Sequence, residues 1–395
     1  MAVIGLRGTG DWAADERPKS FGDTILFRNP NGQAPLTALT SKMKKKTTTD
    51  SEFSWWEEEL KPLRLQVTTA VVTAGTTIAV DLGDAEELSV GDVLLVEKTE
   101  DSLYTNELIE VASIASSTSF TVTRGAAGST AATIPDDAFL TRIGNAFAEG
   151  TGAPAETTRN PTKVKNYAQI FKITYGLTGT AEQTETRTGN PISNDKKRKM
   201  FDLSAMMEFA FLFGKAYETT GSNGKPKRYT GGLREFIKTN VKIWTTTPTE
   251  DELLDAVYKV WDYGTSEAGD ERLVFAGNVF LNSLNKLARS STSSRVNFDG
   301  VVKIYGMNLQ RWILPQGVLY VRSHPLLNVH GRYSASAFVI DPSNIIYRPL
   351  QNRDVKFKDN IQLPDADARK GQWIGEVGIE VHHERTMAYL GNFVK

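Results

Sequence analysis

The chain contains no cysteine among its 395 residues. This absence excludes disulfide bonds, thiolate catalysis and zinc sites built on sulfur, and it agrees with folding in a reducing cytoplasm. Net charge is almost absent as well, because 46 basic side chains nearly balance 47 acidic ones. No global field therefore draws the protein to nucleic acid or to an anionic membrane, and such binding would need a local patch.

Long apolar runs are also missing. No stretch approaches the roughly 18 consecutive apolar residues of a membrane-spanning helix, and the Gly-rich residues 1–11 lack the order of a signal peptide. We therefore expect no membrane partner. The length and the 40% hydrophobic content predict a folded chain of two or three domains.

Signatures of catalysis are scarce. Gly8, Gly10 and Ala13 imitate the spacing of a dinucleotide-binding turn, but no strand precedes them and no βαβ unit follows. The chain has no phosphate-binding loop and no Gly-x-Ser-x-Gly elbow. Adjacent His382 and His383 would point to opposite faces of a strand, so an ordinary strand pair is favoured over a metal site. We expect no enzymatic activity, no cofactor and no metal.

A compact all-β module is predicted between residues 66 and 146. Short β-branched runs recur there about every ten residues, and each ends in Gly, Asp or Ser turn residues. The sequence on both sides reads differently, so the module is interpreted as an insertion. The six predicted strands cover residues 67–72, 76–82, 92–97, 108–114, 119–123 and 139–143.

Residues 1–65 show no sustained period and are predicted to form an extended arm. One interpretation of its charges is a solvated run beside two surface tryptophans. The other places the arm on a neighbouring subunit, with the indoles as anchors and the charges setting the register. The candidate contact residues are Lys42, Lys44, Lys45, Lys46, Trp55, Trp56, Glu57, Glu58 and Glu59.

The strongest helical pattern covers residues 194–220. Asn194 is the predicted N-cap, Gly221 follows the predicted end, and apolar residues recur at steps of three and four. Two features of this helix predict partners. Four cations near its start are either solvated or face acidic groups of a neighbour or nucleic-acid phosphates, and Glu208 is expected to form a structural ion pair. The four cations are Lys196, Lys197, Arg198 and Lys199.

The remainder of the chain alternates helices and strands, which predicts an α+β body. Thr249 and Glu252 form a capping-box pattern before an amphipathic helix. A second helix is predicted over residues 278–288, and strands recur from Leu273 to Val394.

Several short sequence segments are informative because of the order in which they follow one another along the chain. Together they resemble tailed-bacteriophage major capsid proteins of the family that carries an extra β-domain in its extended loop. The resemblance covers about residues 65–240, with a looser match of layout to the C-terminus. The segments are SVGDV at 89–93, VTRG at 122–125, EG at 149–150, NYAQIF at 166–171, TGTA at 178–181, EFAFLFG at 208–214, and GGL at 231–233 ahead of FI at 236–237.

The resemblance implies the α+β shell-forming fold that tailed-phage capsids and encapsulins share. It divides the chain into an N-terminal arm (1–45), an extended loop (46–185) holding the inserted β-domain (66–146), a peripheral domain (186–229) with a spine helix (194–220), an axial domain (230–345) and the return strands of the peripheral domain (346–395).

The function implied is that of a major capsid protein whose pentamers and hexamers close an icosahedral shell around double-stranded phage DNA. Scaffolding, portal and decoration proteins are implied partners, DNA contact would be weak and non-specific, and assembly would occur in the host cytoplasm. Two alternatives remain at this point. One is an encapsulin-like compartment, and the other is a carbohydrate-binding or hydrolytic virion protein, against which the long helix and the lack of paired acids argue.

Two departures from relatives lead to further expectations. Some relatives begin with a long helical scaffolding segment that is later removed, whereas here the arm starts almost at once, so we expect no maturation cleavage. Some relatives also join a lysine to an asparagine between subunits. No matching motif accompanies the available lysines or Asn352, so we expect no such cross-link.

Overall fold

The computed structural model describes residues 44–58, 63–97, 107–153, 160–184, 186, 189–263, 269–290, 298–304 and 307–394. The strands, numbered in chain order, are β1 (Glu52–Glu57), β2 (Arg64–Gln66), β3 (Thr77–Ala79), β4 (Asp92–Glu97), β5 (Leu108–Ser116), β6 (Ser119–Ala126), β7 (Phe139–Asn145), β8 (Thr162–Tyr167), β9 (Gln169–Thr178), β10 (Tyr217–Thr220), β11 (Pro226–Tyr229), β12 (Val241–Ile243), β13 (Glu271–Ala276), β14 (Phe298–Ile304), β15 (Met307–Leu314), β16 (Gly317–Ser323), β17 (Ala337–Ile340), β18 (Ile345–Pro349), β19 (Lys356–Lys358), β20 (Ala368–Val381) and β21 (Ala388–Gly391). The α-helices are α1 (Gly179–Gln183), α2 (Pro191–Phe213), α3 (Leu233–Phe236), α4 (Glu250–Val257) and α5 (Asn278–Ser290).

The chain divides into two compact units. The larger unit runs to Trp55 and resumes at Val164, and the smaller unit comprises Trp56–Lys163. Strand β1 pairs with β8, so the chain leaves the larger unit on one strand and returns on the strand beside it. A segment can be inserted between two adjacent strands without changing the fold of the larger unit.

Two sheets form the body of the larger unit. One has seven strands in the order β12-β21-β17-β13-β16-β15-β14, and the other holds β18 and β19 on one edge of β20 with β9 on the opposite edge. The sequence placed all of residues 346–395 among the peripheral return strands. Within this range, β21 lies between β12 and β17 in the seven-stranded sheet. Its four residues are all buried, as an interior strand requires.

The seven-stranded sheet is covered on both faces. Leu273 and Phe275 of β13 face a cluster that includes Leu203, Met207 and Phe211 of helix α2. The alternate residues of the same strand point the other way, because successive side chains of a strand leave opposite faces. They join a second cluster with the apolar faces of α4 and α5. Continuous apolar strands such as β13 and β17 are the expected result of burial on both faces.

The long helix differs from its prediction at both ends. It begins at Pro191, where the Asn190 side chain accepts hydrogen bonds from the amides of Ile192 (2.9 Å) and Ser193. It ends at Phe213, so the predicted 194–220 span is wrong beyond that residue, and β10 follows instead. At Gly214 a Cβ atom would lie 2.3 Å from the Thr230 carbonyl oxygen, so only glycine allows this close passage. The 23 helical residues span about 34 Å.

The smaller unit is an antiparallel six-stranded sheet in the order β2-β7-β4-β5-β6-β3. An antiparallel bridge between Val67 and Val80 joins its two outer strands, so the sheet closes into a small barrel. Its apolar core is formed by side chains from alternate strand positions, among them Leu94 and Phe120. Five of the six predicted strands coincide with strands of the barrel, and the first lies just upstream of its predicted position.

The barrel also extends past the predicted limits of 66 and 146. The Leu63 carbonyl accepts a hydrogen bond from the Arg142 amide (2.7 Å), and the ring of Phe147 lies against Gly91. Residues 63–147 therefore bound the barrel within this unit.

A buried ion pair connects the strands and loops of the barrel. Arg124 donates to both oxygens of Glu107 (2.6 and 2.9 Å) and to the carbonyls of Val72 and Gly75. Both side chains are almost fully buried. Burial alone would raise the pKa of the Glu107 carboxyl, but hydrogen bonds from Arg124 and from the Ala132 amide hold that pKa below its usual value. Glu107 therefore remains ionised at neutral pH and depends on Arg124.

We expect Arg124→Met to lower the free energy of unfolding of the barrel by about 3–5 kcal/mol, because it leaves the buried Glu107 carboxylate without its partner. The matched control is Arg64→Met, since Arg64 pairs with Glu97 at the surface and such pairs contribute about 0–1 kcal/mol. Urea unfolding monitored by hydrogen exchange of barrel peptides measures both losses.

The pH dependence gives a second readout of the same variant. The depressed pKa of Glu107 stabilises the native barrel above the unfolded pKa of about 4.3, and this contribution disappears as the pH falls through the folded pKa. The deficit of Arg124→Met should therefore shrink in acid. Equal losses for the two variants at pH 7 would contradict the assignment.

Candidate interaction surfaces

The end of the predicted arm lies on the chain's own subunit. The Lys46 amide donates to the Tyr347 carbonyl (3.0 Å), the Tyr347 amide donates to the Lys44 carbonyl (3.0 Å), and Thr48 donates to Pro349 (2.9 Å). These bonds add residues 44–48 to the open edge of β18. The backbone of this stretch is therefore paired within its own subunit, and contact of its exposed side chains with a neighbouring subunit stays a prediction.

The lysine side chains of this stretch have different environments. Lys45 forms an ion pair with Asp354, which also accepts a hydrogen bond from the Tyr347 hydroxyl (2.9 Å). Burial would raise the pKa of Asp354, but the hydrogen bond from Lys45 and its other donors lower it. Lys44 and Lys46 are exposed, and Lys42 lies outside the described residues.

The two tryptophans have opposite environments. Strand β1 alternates exposed and buried residues, so Trp55 is buried and Trp56 is 63% exposed. Trp55 packs against Phe236 and His382 of its own subunit, with ring centroids 5.7 and 5.9 Å away. The prediction that Trp55 anchors a neighbour is therefore wrong, because its indole already fills the core. Only Trp56 is available to another molecule.

The acidic side chains after Trp56 continue this exposed segment. Glu57 is half-buried and Glu58 is exposed, whereas Glu59 lies outside the described residues. Trp56 and the two described glutamates thus place an apolar ring beside negative charge at the surface.

The four cations of helix α2 lie within its first three turns. Lys196 is half-buried, with its ammonium 3.7 Å from the centroid of the Phe357 ring. Arg198 and Lys199 form loose surface pairs with Asp195 and Asp202, at 3.9 and 3.7 Å. Lys197 is exposed. Lys196 therefore packs inside its own subunit, and the other three cations remain at the surface.

Glu208 is fully buried and cannot contact another subunit. Its Oε1 lies 2.7 Å from Nε2 of His324, which is also fully buried at the end of β16. The carboxylate joins helix α2 to the seven-stranded sheet. The site is a structural pair, as expected from the sequence, and the proposed contact with a neighbour is wrong because Glu208 has no exposed surface.

Two further polar residues were not singled out by the sequence. The side-chain amide of Asn166 donates to the carbonyls of Ile379 (2.7 Å) and Gly231 (3.1 Å), and its oxygen accepts from the Gly231 amide (2.6 Å). Asn166 thereby connects β8 to β20 and to the turn before α3. The sequence gives one weak signal for this role, which is the presence of a polar asparagine inside a predicted strand.

The second is Glu380, which lies between Arg348 (3.1 Å) and His382 (2.6 Å). Glu384 turns away and accepts hydrogen bonds from the amides of Lys238 and Thr239. The side chains of His382 and Glu384 therefore have separate partners within the subunit and are not brought together as ligands of one metal ion. Within the described part of the chain, no three His, Cys, Asp or Glu side chains are grouped to hold a metal ion, and no helix combines the length and apolar character needed to cross a membrane.

These features define a protein with a rigid α+β body and an inserted barrel, whose remaining candidate residues are exposed and carry no catalytic arrangement among the described residues. The chain belongs to the SU10 major capsid protein family, because the model of that family matches residues 7–393. This match confirms the predicted class, a tailed-phage major capsid protein.

Individual proteins agree with the family match. The chain is 28% identical over 356 residues to a major capsid protein of Pseudomonas phage PaMx41, covering 86% of this chain and 81% of that protein. Among solved structures, one from Mycobacterium phage Cain has a TM-score of 0.48 at 9% identity, covering 95% of this chain and 92% of that one. An encapsulin complex from Synechococcus elongatus has a TM-score of 0.43 at 10% identity, covering 60% of this chain and 77% of that one.

The two tryptophans of β1 allow a direct test of their different roles. We expect Trp55→Ala to lower the free energy of unfolding of the unassembled chain by about 3–5 kcal/mol, because it opens a cavity beside Phe236. Trp56→Ala should change it by less than about 0.5 kcal/mol, since surface substitutions rarely do more. Urea titration followed by circular dichroism measures both, and similar losses would contradict the assignment.

Proposed function

We propose that copies of this protein assemble into an icosahedral shell of pentamers and hexamers that encloses double-stranded phage DNA. The observation that carries this proposal is the family match, which extends over nearly the whole chain. The mechanism is physical, because each copy would bury apolar surface at several weak contacts whose sum is fixed by closure of the shell.

The exposed apolar side chains support this proposal. Trp56, Leu63, Val72 and Leu82 are each more than 60% exposed, at 63, 68, 68 and 81%. Single exposed apolar residues are ordinary, but an exposed tryptophan is the type of side chain that dominates interfaces. The contact residues predicted from the sequence that are exposed or half-exposed include Lys44, Lys46, Trp56, Glu57, Glu58, Lys197, Arg198 and Lys199.

The barrel would serve the particle rather than the subunit core. We propose that it projects from the outer surface of the shell or braces a symmetry axis. Its separate apolar interior and its closed sheet support this role, because the body of the larger unit is stabilised by different clusters. Closure also removes the open strand edges that would otherwise pair with other chains.

The other partners follow from the same proposal. The near balance of charge suits a wall that holds packed DNA without binding it tightly. Scaffolding, portal and decoration proteins would contact the shell, assembly would occur in the host cytoplasm, and the protein would act without catalysis in the virion.

Two alternative functions are less well supported. An encapsulin-like compartment would use a related fold around a protein cargo, but the family that matches is a phage capsid family. A carbohydrate-binding or hydrolytic role would need a glycan platform or paired acids. The one exposed tryptophan described near the barrel, Trp56, has no second aromatic ring stacked beside it among the described contacts.

Assembly of the purified protein tests the main proposal. We expect closed shells, partial shells, tubes or rings of five or six copies after expression alone or with a scaffolding protein. Size exclusion followed by negative-stain electron microscopy would detect them. A uniform monomer under both conditions would contradict the proposal and direct attention to ligand screens on the barrel.

Removal of the barrel tests its role. We expect that replacement of residues 63–147 by a Gly-Ser linker leaves a folded larger unit, because none of its apolar clusters contains a barrel residue. Particles of this variant should dissociate at lower temperature or lower urea concentration than full-length particles. Light scattering measures dissociation, and circular dichroism measures folding of the subunit. An unfolded or insoluble deletion variant would contradict the assignment.

A further inference from the structure

A pocket of about 520 Å³ opens on the larger unit between the end of helix α2, the start of β9 and the β10–β11 hairpin. Its lining is mostly apolar, and Lys215 is the one charged residue among the described residues that line it. Tyr217 and Tyr229 stand directly opposite each other in the hairpin, so both rings lie on the same side of it. The lining residues are Gln169, Ala210, Gly214, Lys215, Tyr217, Tyr229 and Thr230.

The chemistry of this pocket favours an aromatic side chain followed by negative charge. Two tyrosine rings at the mouth can contact an inserted ring edge-to-face or in an offset stack, which adds about 0.5–1.5 kcal/mol beyond the burial of area. Two cations lie on the tyrosine side of this region. Lys215 is exposed and lines the pocket, and the Lys227 ammonium lies 5.1 Å from the centroid of Tyr229. Arg228 leaves the opposite face of the hairpin and pairs with Glu218.

The chain itself carries a segment of this chemistry. Trp56 presents an exposed indole and is followed by Glu57 and Glu58. In its own subunit Trp56 does not line the pocket. Burial of Trp55 on the opposite face of β1 fixes the direction in which Trp56 points.

We propose that Trp56 of one copy inserts between Tyr217 and Tyr229 of a second copy, with Glu58, which follows on the same face of the chain as Trp56, facing Lys215 and Lys227. This inference rests on the proposed shell, and it assigns one of the contacts between its subunits. Tryptophan and tyrosine are the residues that most often dominate binding energy at interfaces. Opposite charges around them fix the orientation of the two copies.

Leu82 is the main rival occupant. It is 81% exposed and has Asp81 and Asp84 beside it, so it also combines an apolar side chain with negative charge. A leucine, however, gains nothing from the paired tyrosine rings beyond the area it buries. The inference therefore commits to Trp56, and the experiment must distinguish the two.

The absence of native cysteine makes site-specific cross-linking the direct test. Ser54→Cys places a thiol on the exposed face of β1 beside Trp56, and Thr219→Cys places one beside Tyr217 on the pocket side of the hairpin. Both substitutions keep every residue of the proposed contact. Chains with one cysteine each would be co-assembled into particles and treated with a short bismaleimide, so any mixed product joins two copies.

We expect a dimer of the Ser54→Cys and Thr219→Cys chains as the main cross-linked product. Its yield should fall at least tenfold when Trp56→Ala is added to the first chain, and it should persist with Trp56→Phe. The matched control is Ser117→Cys, which lies beside Leu82 because the Ser117 carbonyl accepts from the Gly83 amide (2.9 Å).

Each other outcome overturns the inference. If particles form but the Ser117→Cys chain cross-links to Thr219→Cys as well as Ser54→Cys does, Trp56 is not the occupant. The same conclusion follows if Trp56→Ala leaves the yield unchanged in intact particles, and in both cases the shell proposal stands. Failure to form any particle with wild-type protein would refute the shell and this contact together.

Discussion

Burial of the seven-stranded sheet on both faces is the constraint on which the rest of the larger unit depends. Side chains of α2 cover one face, and α4 and α5 cover the other. Phe171 and Val377 of the second sheet belong to the same cluster as Leu203 and Phe211 of α2. The helix is thus held by two sheets at once. Because most helical stability in proteins comes from such packing, this shared cluster fixes the helix and the surfaces around it.

The position of the insertion follows from this constraint. The chain departs on β1 and returns on the adjacent β8, and the inner side of β1 is anchored by Phe53 and Trp55. Asn166 secures β8 through backbone groups of β20 and of the turn before α3. A closed barrel with its own interior can be attached at such a stem because it draws no side chain from the clusters of the larger unit. Substitutions deep inside the barrel and substitutions in the apolar clusters of the larger unit should then have additive effects on the free energy of unfolding, because these clusters share no residue.

Local patterns in the sequence were sufficient for some elements and insufficient for others. The strands of the barrel were found because each is a short β-branched run that ends in Gly, Asp or Ser turn residues, a signal contained in the local sequence. The end of α2 was missed because Gly214 and Tyr217 continue the spacing of three and four, while the contact that stops the helix comes from Thr230. The burial of Trp55 depends on Phe236 and His382, which are far away in sequence. No local pattern contains such contacts.

Contacts between residues far apart in sequence also explain why the candidate surfaces could be predicted only in part. Neighbouring residues of one strand have opposite roles, because alternation directs Trp55 inward and Trp56 outward. The inner ring limits the motion of the strand that carries the outer one. A side chain held in this way loses less conformational entropy when another molecule binds it. A contact through such a side chain can therefore bury little area and still fix the orientation of the two molecules. A shell built from many such contacts would depend on how firmly each subunit holds its exposed residues, and the buried residues of β1 would then act on the proposed shell without touching a neighbour.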